Sequence, residues 1–245
     1  MKPTVLSIGP WRNNAELIRD GVVPLGYLLP HWTVVDPTYG EGGFWRLWRP
    51  AMLLASDLDP DLSPSGRSVD MSDLPYKSGS VDAVVVDGPY KLNGTSQGNG
   101  PSASDKRYGV HIPATRDERH EAIFGGIMEA ERVLVSGGKL FVKGQNQINS
   151  GEYVQQLRLF TAVAESVGFT LLDELLLVGN RDQPKRSVCT VCDERIMRRN
   201  DGTWERIIRG DRTCGGAAHV PDEEDNGQVH SHRNYSTLLV FEKGH

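Results

Sequence analysis

Apolar and polar positions along this chain fall into short blocks that alternate between two periods. "WTVVD" (32–36), "AMLLASD" (51–57) and "VDAVVVD" (81–87) are brief apolar runs that each end on an acid, as strands buried on both faces do. "KLFVKG" (139–144), "LLDELLLVG" (171–179) and "STLLVFEK" (236–243) extend the series, and "GRSVDMSDLP" (66–75) is expected to add a short strand and a polar loop. Helical spacing occupies "RDERHEAIFGGIMEAERVLV" (116–135), ending near Gly137-Gly138, and "YVQQLRLFTAVAESVG" (153–168), closed by Gly168. "NNAELIRDG" predicts a short helix capped by Asn14 and stopped at Gly21, and "FWRLW" the opening of another. Strands alternating with helices imply a mainly parallel α/β sheet covered on both faces. The last two strands have no crossover helix between them, which predicts an antiparallel hairpin whose connection, 180–235, holds an insertion.

Length and charge narrow this picture. At 245 residues the chain suits one α/β core with an inserted piece, and its net charge of −5 argues against wholesale coating of nucleic acid. No apolar run approaches the ~18 residues of a membrane span and no signal pattern opens the chain, so a cytoplasmic location is expected. The polar, glycine-rich stretch from Lys91 to about Thr115 has the length of a lid or binding loop.

The acids at the strand ends carry the candidate chemistry. "VVDPTYGEGG" places Asp36 and Pro37 before Gly40, Gly42 and Gly43, residues that let a backbone approach a ligand. Neither a dinucleotide fingerprint nor a phosphate loop fits, since Trp45 stands at the third glycine and no Lys-Ser/Thr follows. Asp57 closes the second strand, and Asp70-Met71 lies in the third segment. Acids at neighbouring carboxyl ends form a ligand crevice in open α/β sheets.

This succession resembles the class I S-adenosylmethionine-dependent methyltransferases, from about Asp36 to Lys143 and again at 233–243. The resemblance implies a Rossmann-like fold. It makes "DPTYGEGG" the cofactor's glycine loop, Asp57 the ribose acid, and Asp70 with Met71 the adenine side. "ERVLVSGGKLFVKG" is similar to the family's turn before its fifth strand, with Ser136 where proline is usual. Asp87-Gly88-Pro89-Tyr90 resembles the Asp/Asn-Pro-Pro-Tyr/Phe motif of enzymes that methylate exocyclic amines of bases, with Gly88 replacing the first proline. It implies Asp87 and the Gly88 carbonyl as acceptors and Tyr90 as a stacking platform. "FVKGQNQ" and "QVHSHRNYSTLLVF" are similar to segments of bacterial and phage DNA methylases of this amino type, with Asn146 where they have aspartate. The implied substrate side includes Lys91, Lys143, Gln145, Arg233, Asn234 and Tyr235. The expected substrate is DNA, at adenine N6 or cytosine N4. An RNA base methyltransferase, or a zinc-containing nucleic-acid-binding protein with a non-catalytic methyltransferase fold, are the alternatives.

All three cysteines lie in one late segment, where Cys189-x2-Cys192, a gap of 21, and Cys214-x4-His219 have the spacing of a structural zinc site. His230 and His232 are alternative fourth ligands. The expected organisation is a core over 1–186, an inserted Cys/His subdomain over 187–227, and a final strand over 228–245 that completes the core. Arg195, Arg198, Arg199, Arg206, Arg209 and Arg212, with Trp204, give the insertion the residue types of a nucleic-acid contact or of a solvated face.

Overall fold

The computed structural model describes residues 11–92, 115–149, 151–178, 186–198, 201–206, 213–221 and 235–244. They divide into two compact units, Met1–Gly179 with Tyr235–His245, and Asn180–Asn234. The second therefore begins earlier and ends later than the 187–227 expected of the insertion.

In the first unit β1 (Thr33–Asp36), β2 (Met52–Ala55), β3 (Val81–Val86) and β4 (Leu134–Gly144) pair in parallel. They join β7 (Phe169–Val178) and β13 (Tyr235–Lys243) in a sheet of order β2-β1-β3-β4-β13-β7. β13 runs antiparallel to both β4 and β7, as the missing crossover helix requires. A mainly parallel sheet with an antiparallel final strand between its neighbours is the Rossmann-like class I methyltransferase fold. After β2 the chain passes back over β1 and lays β3 on the other side. That reversal opens a crevice beyond the carboxyl ends of β1 and β3.

Alternate strand residues feed two cores. Val84, Val86, Leu140, Val142, Leu239 and Phe241 pack on one face beneath α2 (Arg116–Val133) and α3 (Gln156–Ser166). Thr115 and Glu118 form a reciprocal capping box at the start of α2. Ala83, Val85, Phe141, Leu238 and Val240 face the other side, closed by Trp11, Leu17, Ile18, Phe44 and Trp45.

Several expected elements change. Asn13, not Asn14, caps the short α1 (Asn14–Glu16). The helix does not stop at Gly21 but passes through it as a π-helical turn, Leu17–Val22, against the Trp11 ring; a Cβ there would lie 2.8 Å from that ring. "FWRLW" makes only a 3-10 turn, Gly43–Trp45, because the Trp45 ring is drawn into the core. The segment 66–75 forms no strand, only a bridge from Ser68 to Asp57, since it has too few apolar residues to bury a face. β4 starts at Leu134 and absorbs Gly137-Gly138 in a bulge. A hairpin of β5 (Gln147–Asn149) and β6 (Glu152–Val154) precedes α3, where the sequence predicts helix from 153.

The second unit contains β8 (Arg186–Val188), β9 (Arg195–Arg198) and β10 (Trp204–Arg206) in one antiparallel sheet. β11 (Thr213–Cys214) and β12 (Ala217–Ala218) form a hairpin. No helix among the described residues is long and apolar enough to cross a membrane.

Candidate active site and metal centre

At the end of β1 the Asp36 carboxylate is only 1% exposed and turned into the protein. Oδ1 accepts from the Thr38 N–H (3.0 Å) and hydroxyl (3.2 Å), and Oδ2 from the Trp45 indole N–H (2.6 Å). Burial pushes its pKa up to about 7, against the lowering effect of these donors. The sequence places Asp36 among the cofactor contacts; here it holds the loop that follows it instead. The folded state takes up a proton on Asp36 more readily than the unfolded chain. Its contribution to stability therefore declines as pH rises from about 4 to about 7.

The loop leaves open space at two of its glycines. Gly40 and Gly42 have φ of +52° and +69°, and a Cβ on Gly40 or Gly43 would meet nothing within 4 Å. The Gly40 N–H donates to Asp57 Oδ2 (2.8 Å), and the Asp59 N–H to Asp57 Oδ1 (3.0 Å). Each Asp57 oxygen has a second lone pair for a hydroxyl donor. Asp70 is exposed and folds onto the Ser72 N–H and hydroxyl. Met71 is buried, and a Cβ on Gly126 of α2 would meet its Cγ and Sδ at 3.2 Å. Pro37 is buried beside Asp36.

Across the crevice, Asp87 follows the last residue of β3. Burial raises its carboxyl to about 6, and the positive charge of Lys143 opposes that rise. The register Val86↔Val142 puts Asp87 and Lys143 at successive positions of adjacent strands. Lys143 is therefore not on the open face expected of a substrate contact. It is 1% exposed, its Nζ donates to Asn14 Oδ1 (2.9 Å), and it lies 5.9 Å from the Phe44 ring centroid. Burial lowers it to about 8 while Asp87 holds it up.

Gly88-Pro89-Tyr90 makes a tight turn in which the Tyr90 N–H donates to the Gly88 carbonyl (2.7 Å). A Cβ on Gly88 would stand 3.0 Å from both Ile123 Cγ1 and Met71 Cε. Those contacts leave little room for a side chain at position 88. Tyr90 is half-buried against the α2 face of the core.

Residues that sequence reasoning passed over hold the segment after this turn. Gln147 donates to the Tyr90 carbonyl (2.7 Å) and accepts from the Leu92 N–H (3.1 Å). Asn149 donates to the Leu92 carbonyl (3.1 Å) and Arg119 to that of Lys91 (2.5 Å). Gln147 and Asn149 stand in the polar run "QNQIN" after β4, the first of them also in "FVKGQNQ", and Arg119 in the first turn of α2. Asn146 accepts from the Leu157 N–H (3.0 Å) at the start of α3, and the Gln145 carbonyl accepts from Gln156 (2.5 Å). Tyr235 pairs with Val178 at the start of β13, and Lys91 is half-buried. Arg233, Asn234, His230, His232 and most of the 91–115 loop lie outside the described residues, as do Arg199, Arg209 and Arg212.

In the second unit the ligand atoms of Cys189, Cys192, Cys214 and His219 lie within 4.8 Å of one another. Cys192 Sγ is 3.8 Å from His219 Nδ1. A tetrahedron with ~2.3 Å metal–sulfur bonds has edges of roughly this size. Burial pushes the Cys189 thiol up, but His219 and the N–H groups of Val191, Cys192 and Val220 outweigh it and bring it to about 6. Backbone donors around a thiolate are what a metal ligand needs. Asp193 at φ +57° closes the first knuckle, and Gly215-Gly216, both at positive φ, turn the β11–β12 hairpin that presents Cys214. Trp204 packs against this cluster, a core role beside the nucleic-acid contact its type suggested.

No protein-family model and no curated protein matches the sequence. Among solved structures the chain is similar to a candidate DNA modification methylase from Thermus thermophilus, at 13% identity over 70% of this chain and 48% of that one, TM-score 0.35. That protein has also been solved complexed with S-adenosyl-L-methionine. It is similar to TrmN from Thermus thermophilus, at 16% identity over 91% and 47%, TM-score 0.42. A TehB-like SAM-dependent methyltransferase from Corynebacterium glutamicum is a third, at 13% identity over 95% and 88%, TM-score 0.41. The chain spans about half the length of the first two.

Because Met71 and Ile123 already stand close beside Gly88, a proline at this position is expected to overpack the site. Gly88→Pro should lose about 1–3 kcal/mol in urea unfolding, and Ile123→Ala in the same chain should recover part of that loss relative to the sum of the single changes. Additive losses would show that the two positions do not compete for space.

Proposed function

We propose that this protein is an S-adenosylmethionine-dependent methyltransferase acting on an exocyclic amino group of a nucleic-acid base, with DNA adenine N6 or cytosine N4 as target. The observation that carries this reading is the Asp87-Gly88-Pro89-Tyr90 turn, which follows β3 at the crevice where the order of strands reverses. Gly40, Gly42 and the Asp57 carboxylate would hold the cofactor, with Asp70 and Met71 at its adenine. The bound cofactor supplies an electrophilic methyl group on a sulfonium.

The rest of the chemistry belongs to the chain. An aromatic amine is a poor nucleophile because its lone pair is delocalised into the ring. The Asp87 carboxylate and the second lone pair of the Gly88 carbonyl each accept one N–H, favouring the pyramidal nitrogen of the transition state. Tyr90 stacks on the base and aligns it. Asp87 is ionised at neutral pH, so it can take the proton that the methylated amine releases. Lys143, buried beside it, supports the ionised form. In duplex DNA the base must first leave the stack. The Cys189, Cys192, Cys214 and His219 cluster is proposed to hold a structural zinc ion, since four protein ligands leave no open position for catalysis.

Tritium transfer from labelled cofactor to DNA and to RNA, with mass spectrometry of the nucleosides, tests the substrate. A methylated adenine or cytosine in DNA is expected; transfer to RNA alone would replace DNA as the substrate. Asp87→Ala should lower kcat by about 100-fold or more while leaving cofactor affinity within about threefold, and normal turnover in that variant would remove Asp87 from the mechanism. Because the ionised carboxylate is the working form, kcat should fall as pH drops through about 6 and level off above about 7. A flat profile between pH 5 and 8 would contradict the role. Elemental analysis should find about one zinc per chain, and chelation should speed amide exchange in the 186–221 segment. A metal-free protein with the same slow exchange would exclude the zinc.

A further inference from the structure

We propose that Thr38 is a positioning residue that couples the cofactor loop to the catalytic turn, an inference that rests on the methyltransferase reading. The Thr38 hydroxyl is engaged in both directions. It donates to Asp36 Oδ1 (3.2 Å) and accepts the N–H of Asp87 (2.9 Å), the first peptide beyond the last paired residue of β3. Its own N–H also bonds Asp36 Oδ1 (3.0 Å), and a turn of the side chain would break both hydroxyl contacts. Two residues on, the Gly40 N–H reaches the Asp57 carboxylate beyond β2. The stretch 38–40 thus bonds to residues beyond β2 on one side and beyond β3 on the other.

A ligand resting on the glycine loop presses on the same short segment that sets the peptide plane of Asp87. That plane anchors the start of the backbone from which the Asp87 carboxylate and, two peptides on, the Gly88 carbonyl project, the two proposed acceptors. Displacements of about 1 Å at a reacting centre cost on the order of 100-fold in rate. Binding of the cofactor would in this way ready the turn for the base.

The test compares Thr38→Val, which keeps the shape and loses the hydroxyl, with Thr38→Ser, which keeps the hydroxyl. Thr38→Ala serves as a second hydroxyl-free variant if valine does not fold. Hydrogen exchange of the 85–92 segment is followed with and without S-adenosylhomocysteine, whose affinity is measured by calorimetry. In the wild type and in Thr38→Ser the ligand should slow exchange at Asp87. In Thr38→Val that slowing should vanish while affinity stays within about threefold, and kcat should fall roughly 10- to 100-fold with the cofactor KM nearly unchanged. Retained slowing and turnover in Thr38→Val overturn the coupling and leave the methyltransferase reading standing. Failure of the wild type to bind S-adenosylhomocysteine overturns both.

Discussion

The Asp36 carboxylate is the point on which the crevice depends. A carboxyl buried this deeply is costly unless its oxygens are paired, and here the loop it begins supplies three donors. In satisfying them the chain draws Trp45 into the core and brings Thr38 across to Asp87. Between them Gly40 and Gly42 turn through positive φ, and a Cβ on Gly40 or Gly43 would meet open space. The short 3-10 turn, the absent helix and the shape of the loop all follow from one buried acid at the end of one strand.

The opposite wall is held by a different device. Tyr90, Lys91 and Leu92 run on beyond β3, and side chains from β5 and α2 bond their backbone. Gln147 meets both a carbonyl and an N–H, while Asn149 and Arg119 take two further carbonyls. Such bonds fix the backbone through side chains rather than through a ladder. Gly88 belongs to the same economy of space, because the loop carrying Met71 docks where a side chain would stand.

The Cys/His unit follows other rules. Its described apolar core is little more than Cys189, Ile196, Cys214 and the flank of Trp204, too small to stabilise a fold by burial alone. Local turn geometry instead assembles four ligands: a left-handed residue after one knuckle and two glycines before the other strand. That explains why this cluster, His219 included, could be located from spacing.

Period and punctuation alone determined the six strands of the larger sheet, the two long helices, the antiparallel last pair and the positions of Asp57 and Asp87, because those signals are local to each segment. The apolar run in "VDAVVVD" and the cysteine spacing belong to this class. What tertiary structure decided was direction and room. An acid at a strand end reads the same whether it points into a crevice or back into the core, and Asp36 points back. Lys143 in a strand reads as a surface cation until the register sets it beside Asp87 under the Phe44 ring. The failed third strand, the β5–β6 hairpin and the glycine at position 88 likewise depend on neighbours distant in sequence. Burial and charge pairing are properties of the assembled neighbourhood, and no single segment carries them.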